Sequence, residues 1–354
     1  MENGSKNEDA GSCNLVAFSA PEIASTLNGR ELEIVDVIRR AYQAHGRQES
    51  FLPQSTFIHF PDNAANRIIA LPAYLGGEVD SAGVKWIASF PSNLEHGLDR
   101  ASAVLILNST ATGRPKAIME GSIVSARRTA ASAALAAQVL DGNRSSVAGM
   151  IGCGLINFEI ARFLLSACPH VSTLLVYDIH HERAQSFREQ CSSKLGFGEV
   201  RIVESIHSVL SGASLISFAT TAGTPYLTDL SDCRQGSVIL HVSLRDLSPQ
   251  VILASDNIVD DVNHVCRART SVHLAEQQAG NRDFIRCTLP DILNGLAPAN
   301  SCENKLTVFS PFGLGILDLA LGEYVLQRAT QAGMGSILPS FFPEPWNRIV
   351  AVSA

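Results

Sequence analysis

The sequence predicts an α/β fold that combines a doubly wound parallel sheet with an α+β unit, the latter formed by the N-terminal part and a C-terminal helix. From residue 147 onward, strand-like and helix-like segments alternate, which is typical of parallel strands covered by helices on both faces. Before that point, strand-like segments follow one another without intervening helices, which indicates an antiparallel or mixed sheet. A chain of 354 residues also exceeds what one hydrophobic core usually supports.

The composition is that of a folded protein and excludes several classes of partner. Apolar residues make up 46% of the chain, the net charge is −7, and the basic residues are scattered, so we expect no nucleic-acid partner. No apolar run could span a bilayer and the polar start lacks the features of a signal peptide, which predicts a cytoplasmic protein without a membrane partner. The eight cysteines are widely spaced, which favours reduced thiols over disulfides or a metal site.

The first unit is predicted over residues 15–140, after a polar segment, residues 1–14, that predicts a disordered tail. Its strand-like runs lie at residues 55–60, 67–72, 84–90 and 102–107. An alanine-rich helix is expected over residues 118–140, and the turn-rich stretch that follows it separates this unit from the next.

The second unit is predicted over residues 141–312. Strands are expected at residues 147–151, 173–177, 215–219 and 238–242, with helices at 155–168 and 181–195. Residues 313–354 contain a further helix, 314–329, which we expect to pack back on the first unit. The chain would then enter and leave the second unit through two linkers.

A glycine-rich turn, Gly152-x-Gly154, lies between the first strand and the first helix of the second unit. Gly152 permits the tight turn, and Gly154 lets the backbone approach a pyrophosphate at the positive end of the helix. This context predicts a Rossmann-type dinucleotide site, with Leu155 and Ile156 among the cofactor contacts. Asn157 replaces the third glycine of the pattern, which predicts a slightly wider spacing between helix and strand.

Two residues at later strand ends extend this site. Asp178 follows the second strand, where an acid accepts hydrogen bonds from the adenosine ribose and repels a 2′-phosphate, which favours NAD over NADP. The alternative is that it only caps the helix that begins at His181, and the two roles are compatible. Thr220 ends a later strand and could line the nicotinamide side or belong to an ordinary turn.

Two single residues and one pair of arginines could also carry chemistry. Lys85 lies in an apolar strand, where a desolvated ammonium can transfer protons or hold a carboxylate, although taken alone it is more typical of an edge strand. Arg127 and Arg128 point to different faces of the alanine-rich helix, so at most one enters a given pocket to hold a carboxylate; a solvated helix face is the alternative. Asp246 follows a strand and could receive a proton, hold an amine, or only form a turn before Ser248.

Together these pieces resemble the ornithine cyclodeaminase/μ-crystallin family, from about residue 18 to residue 329. The likeness rests on Gly83-Val-Lys-Trp, Arg128-Thr-Ala-Ala, Gly152-x-Gly154 and the loop around Asp246. Residues 67–77, 85–91, 100–108, 243–249 and 310–318 are similar to the branch of the family that makes 2,3-diaminopropionate for siderophores and peptide antibiotics.

The resemblance implies an NAD-binding domain, and a substrate domain that also forms a homodimer. It implies that Lys85 and Asp246 are catalytic, that Arg128 binds a substrate carboxylate, and that Thr129 contacts a phosphate. Ser243, in the Asp246 loop, is a further predicted cofactor contact.

The sequence departs from the family at one position that bears on the substrate. In Pro53-Gln54-Ser55, many relatives carry, two residues after the proline, an arginine that contacts a carboxylate; this chain lacks it, so Arg67 or Arg100 is expected to replace it.

The resemblance also implies a reaction on a small amino-acid-derived polycarboxylate. N-(2-amino-2-carboxyethyl)-L-glutamate would be oxidised by NAD and hydrolysed to L-2,3-diaminopropionate, 2-oxoglutarate and NADH. Two alternatives stay open. One is a cyclodeaminase acting on ornithine or lysine, or a ketimine reductase or alanine-type dehydrogenase. The other is a non-catalytic binding protein like μ-crystallin.

Overall fold

The computed structural model describes residues 13–300 and 305–344. The tail predicted over residues 1–14 lies outside these ranges except for its last two residues, and so does the end of the predicted C-terminal return beyond residue 344. The strands are β1 (Leu15–Phe18), β2 (Ser50–Phe51), β3 (Thr56–Phe60), β4 (Asn63–Leu75), β5 (Ser81–Ser89), β6 (Ala101–Asn108), β7 (Pro115–Glu120), β8 (Val147–Ile151), β9 (Thr173–Tyr177), β10 (Glu199–Ile202), β11 (Leu215–Phe218), β12 (Val238–His241), β13 (Asp256–Val259), β14 (Ile285–Thr288), β15 (Thr307–Ser310) and β16 (Ser336–Leu338). The helices are α1 (Ala20–Leu27), α2 (Glu31–Gly46), α3 (Ser122–Asp141), α4 (Leu155–Ala167), α5 (His181–Gln190), α6 (Ile206–Gly212), α7 (Pro249–Ala254), α8 (Val262–Val265), α9 (Ser271–Ala279), α10 (Leu289–Leu293) and α11 (Gly315–Gln331).

The first sheet contains eight strands in the order β16-β1-β7-β6-β5-β4-β2, with β3 also paired to β4. Only β1 and β7 run parallel, so the sheet is mixed, as the sequence predicts. Strand β5 is internal, and Lys85 pairs with Leu71 of β4 on one side and Leu105 of β6 on the other. The edge-strand interpretation of Lys85 is therefore wrong.

The second sheet contains eight strands, all parallel, in the order β10-β9-β8-β11-β12-β15-β13-β14. Its internal strands β11, β12 and β13 are buried along their whole length, as expected for a sheet covered on both faces. The order of strands reverses between β8 and β11. A reversal of this kind opens a crevice at the carboxyl ends of the strands, where ligands bind in doubly wound folds.

Two buried helices connect the sheets. Helix α3 begins at Ser122 rather than at residue 118, because the preceding residues continue the first sheet as β7. The carboxylate of Glu120 accepts hydrogen bonds from the backbone N–H groups of Ser122 and Ile123, at 2.6 Å and 3.1 Å, and so satisfies two donors at the helix start. Alanines on every face let α3 pack closely against α2, α4 and α11.

The chain leaves the second sheet at Ser310 and returns to the first through α11 and β16. Helix α11 packs on α3 and on strands β4, β5 and β6. The domain limits predicted at residues 140 and 312 stay predictions, although the chain changes sheet close to both. Within the described parts of the chain, no helix has both the length and the apolarity needed to cross a membrane.

Candidate active site

The glycine-rich turn lies at the end of β8, at the reversal of strand order. Gly152 has a φ of +90°, and a Cβ there would lie 2.6 Å from the carbonyl oxygen of Ala219, so only glycine fits. A Cβ on Gly154 would meet no atom within 4 Å, although Gly154 immediately precedes α4. The open space at this helix N-terminus can accept an anionic group such as a pyrophosphate. Leu155 is exposed beside this space, and Ile156 is half-buried.

Asn157, in place of the third glycine, is fully buried and ties the first turn of α4 to two strand ends. Its Nδ2 donates to the carbonyl oxygens of Ile151 and Gly152, at 2.9 Å and 2.7 Å, and its Oδ1 accepts from Ser217 Oγ at 2.7 Å. The amide therefore holds the turn by hydrogen bonds where a glycine would allow direct packing.

Asp178 closes the glycine-rich turn from the end of β9. Its Oδ2 accepts from the backbone N–H of Cys153 at 2.8 Å, and its Oδ1 accepts from that of His180 at 2.9 Å. His180 is itself the N-cap of α5, so Asp178 does not cap this helix and that alternative is wrong. The half-buried carboxylate keeps further lone pairs for hydroxyl groups of a ligand.

Asp246 lies at the carboxyl edge of the second sheet, where hydroxyl groups donate to both oxygens of its carboxylate and its backbone N–H donates to His241 Nε2 at 3.2 Å. Thr220 Oγ1 and Tyr226 OH donate to Oδ1, and Ser243 Oγ donates to Oδ2. His241 Nε2 lies 3.3 Å from the same Oδ2. Burial alone would raise the pKa of Asp246, but the contacts with His241, Ser243 and Thr220 together lower it below its usual value. In this conformation Asp246 is an ionised acceptor and a weak base.

The turn interpretation of Asp246 is wrong. Ser248 accepts the N-cap hydrogen bond of α7, from the backbone N–H of Val251, whereas the side chain of Asp246 is fully buried among the donors named above.

A second cluster lies between the first sheet and the two connecting helices. The ammonium Nζ of Lys85, on β5, lies 2.8 Å from Asp318 Oδ2 of α11 and donates to Ser125 Oγ of α3 at 2.9 Å. Arg128 Nε donates to the other oxygen of Asp318 at 3.1 Å. Burial, and then the charge of Arg128, lower the pKa of Lys85 to about 8, although the charge of Asp318 acts in the opposite direction. A lysine with this pKa can exchange protons near neutral pH.

Arg128 and Arg127 reach different surroundings, as the sequence predicts. Arg127 Nε lies 2.8 Å from Glu159 Oε2 of α4, away from Lys85. Both arginines are buried, so the interpretation as a solvated helix face is wrong. A Cβ on Gly313 would lie 2.7 Å from Nη1 of Arg128, so the loop after β15 rests directly on this guanidinium.

The same loop connects the two clusters. It begins at Ser310, whose Oγ lies 3.1 Å from His241 Nδ1 in the Asp246 cluster, and it continues to Gly313 on Arg128. Lys85 and Asp246 are thus linked through Asp318, Arg128, the loop from Gly313 to Ser310, and His241.

Arg67 and Arg100 lie together at the end of β5. Arg67 pairs with Ser89 across β4 and β5, and Arg100 Nη1 donates to Ser89 Oγ at 3.4 Å. Gln54, the residue before Ser55, accepts a hydrogen bond from Nη2 of Arg267 at 2.9 Å.

Thr129 is half-buried, and its hydroxyl donates to the carbonyl oxygen of Ser125, one turn earlier in α3, at 2.7 Å. Because the only proton of the hydroxyl is engaged within the helix, a phosphate contact needs a different rotamer. That role stays a prediction.

Asp318, Ser125 and Tyr226 were not among the candidates drawn from the sequence. One feature of the sequence indicates Asp318: it is an acid inside the apolar run Gly-Ile-Leu-Asp-Leu-Ala-Leu, where a buried charge requires a partner. Ser125 and Tyr226 left no comparable signal, because their partners are distant in sequence.

Known proteins resemble this chain over most of its length. A curated relative, N-((2S)-2-amino-2-carboxyethyl)-L-glutamate dehydrogenase of Staphylococcus aureus, is 27% identical over 310 residues, which cover 86% of this chain and 92% of the relative. Alanine dehydrogenase of Archaeoglobus fulgidus is 25% identical over 318 residues, 87% of this chain and 94% of that protein. The solved structure of Thermococcus litoralis Delta(1)-pyrroline-2-carboxylate reductase, in complex with NADH and L-proline, has a TM-score of 0.83 at 26% identity and covers 91% of this chain and 99% of that one.

The family model of the ornithine cyclodeaminase/mu-crystallin family matches residues 28–333. This match contains the glycine-rich turn and both buried clusters, and it confirms the resemblance seen in the sequence. The chain therefore belongs to the ornithine cyclodeaminase/mu-crystallin family.

Proposed function

We propose that this member of the family is an NAD-dependent oxidoreductase that converts N-(2-amino-2-carboxyethyl)-L-glutamate to L-2,3-diaminopropionate and 2-oxoglutarate, for a siderophore or peptide-antibiotic pathway. The observation that carries the proposal is the buried Lys85–Asp318–Arg128 cluster, connected by the Ser310–Gly313 loop to the edge of a dinucleotide-binding sheet. The similarity to the Staphylococcus aureus dehydrogenase supports this choice of substrate.

NAD is the cofactor that the crevice fits. Gly152, Gly154 and the start of α4 would hold the pyrophosphate, because open space lies in front of Gly154. Asp178 would accept from the ribose hydroxyls, and its charge disfavours the 2′-phosphate of NADP. Leu155 and Ile156 at the start of α4, and Thr220 and Ser243 farther along the sheet edge, complete the proposed contacts. When bound, NAD accepts a hydride from the carbon atom attached to the substrate nitrogen.

Lys85 is the proposed proton carrier. The secondary amine must lose a proton before its C–H bond can be oxidised, and a neutral amine with a pKa of about 8 is a suitable acceptor. Asp318 and Ser125 fix the position of the Lys85 nitrogen. Substrate, water and NAD together give L-2,3-diaminopropionate, 2-oxoglutarate, NADH and one proton. Lys85 must therefore also pass a proton to solvent in each cycle.

Arg128 is the proposed holder of a substrate carboxylate. Its Nε is bound to Asp318, whereas its two terminal nitrogens donate to no described residue. Parallel N–H groups of this kind form a fork that matches a carboxylate. Asp246 would orient Thr220, Ser243 and Tyr226 along the crevice, since its own lone pairs are engaged and its pKa is lowered.

We also propose a homodimer formed through the outer face of the first sheet. Ile58, Tyr74, Trp86 and Val104 are large apolar residues between 36% and 43% exposed. The strand register places all four on the face opposite to Lys85, so they form one continuous apolar surface. A surface of this kind is typical of a subunit interface.

The test of the proposed function follows NADH absorbance with purified protein, NAD and N-(2-amino-2-carboxyethyl)-L-glutamate, with ornithine in a parallel reaction. We expect NADH to accumulate in equal amount to 2-oxoglutarate, and no reaction with ornithine. Ammonia and proline formed from ornithine without net NADH would show a cyclodeaminase instead. Cofactor binding without turnover of any amino acid would show a binding protein.

A further inference from the structure

Three half-buried arginines, Arg67, Arg100 and Arg245, border the crevice from its two sides. Arg67 and Arg100 share Ser89 at the end of β5, as described above. Arg245 comes from the other side, in the loop after β12, and is held there by a hydrogen bond of 2.8 Å from its Nη2 to the carbonyl oxygen of Ala268. None of the three forms an ion pair with a carboxylate of the described residues.

The charge of Arg67 acts on both of the other arginines. Burial, and then the charge of Arg67, lower the pKa of both Arg100 and Arg245, whereas the charge of Asp246 raises that of Arg245. The Nε of Arg67 is buried and has no hydrogen-bond partner within the described ranges. Like charges repel, and a buried donor without an acceptor is unfavourable. An anion placed among the three side chains would remove both penalties.

The position of this arginine cluster relative to Lys85 fits a long substrate. Arg67 and Lys85 lie on the same face of the first sheet, because Leu71 pairs with Lys85 and Arg67 pairs with Ser89. Along the strand, Arg67 lies four residues from Leu71, the partner of Lys85, which corresponds to about 13 Å between their Cα atoms. Arg245 directly precedes Asp246, so the cluster also borders the edge of the second sheet.

We propose that Arg67, Arg100 and Arg245 form a second carboxylate site, which binds the side-chain carboxylate of the glutamate portion while Arg128 binds a carboxylate at the other end. The identity of the ligand rests on the proposed function. The site itself selects dicarboxylates over monocarboxylates of the same length. Arg245 is the residue that closes the site from the second sheet.

The test measures binding by calorimetry to the protein loaded with NADH. The probes are 2-oxoglutarate and 2-oxopentanoate, which differ only by the replacement of the distal carboxylate with a methyl group. We expect the wild-type protein to prefer 2-oxoglutarate by about tenfold or more, as charge-assisted hydrogen bonds to a carboxylate imply. In Arg245→Gln this preference should largely disappear, with binding of 2-oxopentanoate unchanged. Arg100→Gln should have the same effect, and it serves as a second variant if one of the two folds poorly.

The control is Arg201→Gln, which removes an exposed arginine of β10 that pairs with Glu199. This variant should keep the full preference. A wild-type protein without preference for 2-oxoglutarate, or an Arg245→Gln variant that retains it, would overturn the inference.

The outcome is separable from that of the proposed function. If the preference depends on Arg245 but N-(2-amino-2-carboxyethyl)-L-glutamate is not oxidised, the carboxylate site stands and the proposed substrate is wrong. If oxidation occurs and the preference is unaffected by Arg245, the substrate stands and the site is wrong.

Discussion

The ammonium of Lys85 lies 2.8 Å from a carboxylate oxygen of Asp318, and both side chains are buried. Asp318 therefore influences the protonation of Lys85 directly. Its charge is the main influence that raises the pKa of Lys85, whereas burial and the charge of Arg128 lower it. Removing the carboxylate charge should make Lys85 lose its proton more easily.

We expect Asp318→Asn to shift the pH dependence of turnover to lower pH. If neutral Lys85 accepts the proton, activity rises as pH increases through its pKa, which is about 8 in the wild-type protein. Without the carboxylate this rise should occur below pH 8. The measurement is kcat as a function of pH.

Glu323→Gln is the matched control, because Glu323 is the other buried acid of α11 and pairs with Lys116. Glu323→Gln should lower the stability of the fold but leave the pH dependence of kcat unchanged. If kcat rises at the same pH in Asp318→Asn and in the wild-type protein, the proposed influence of Asp318 on Lys85 is contradicted.

Lys85→Ala should reduce turnover by about 10²-fold or more, the range measured for loss of a positioned acid–base group. Binding of NADH, followed by its fluorescence, should stay nearly unchanged, since Lys85 contacts Asp318 and Ser125 rather than the glycine-rich turn. Undiminished turnover would remove Lys85 from the mechanism.

Asp178→Ala should weaken NAD binding and reduce the preference for NAD over NADP. The change removes both the acceptor for ribose hydroxyls and the charge that repels a 2′-phosphate. The ratio of kcat/KM values for the two cofactors measures this effect. Glu182→Ala, an acid in the first turn of the adjacent helix α5, should leave the ratio unchanged. If both variants behave alike, Asp178 does not contact the ribose.

Gly313→Ala should raise KM for the amino-acid substrate with little effect on NADH binding. The new methyl group would lie 2.7 Å from Nη1 of Arg128 and would push the guanidinium out of position. Gly280→Ala is the control, because Gly280 has a similarly positive φ of +71° but open space around its Cβ. Equal KM values in the two variants would mean that Arg128 does not bind the substrate.

Trp86→Glu should convert a dimer to monomers, because it places a charge in the middle of the apolar outer face of the first sheet. Light scattering coupled to size-exclusion chromatography measures the mass. Leu32→Glu changes an exposed leucine of helix α2, outside this sheet, and should leave the mass unchanged. An unchanged mass in Trp86→Glu would place the interface elsewhere, and a monomeric wild-type protein would exclude this dimer.

Periodicity and local motifs were sufficient to predict the two sheets, the glycine-rich turn and the return of α11. The sequence patterns miss β10, β13, β14 and β15 because each has two polar residues among only four, whereas β11 and β12, which are equally short, have one each. The start of α3 was placed too early, since the apolar residues of β7 also fit a helical pattern.

In the candidate site too, the residues that the sequence does not predict depend on contacts between distant parts of the chain. Lys85 alone was more typical of an edge strand, because the position of β5 inside its sheet depends on pairing with β4 and β6. Asp318 and Arg245 depend on contacts between elements far apart in the chain. No spacing within the sequence predicts such contacts.

The two connections between the sheets have a mechanical consequence. Helices α3 and α11 pack on each other, and they supply Arg128 and Asp318 to the buried cluster around Lys85. If the second sheet rotates relative to the first, the hinge axis passes near these helices, and atoms near an axis move least. Lys85 would then keep its surroundings, whereas the glycine-rich turn and the Asp246 loop, which belong to the second sheet, would move with that sheet.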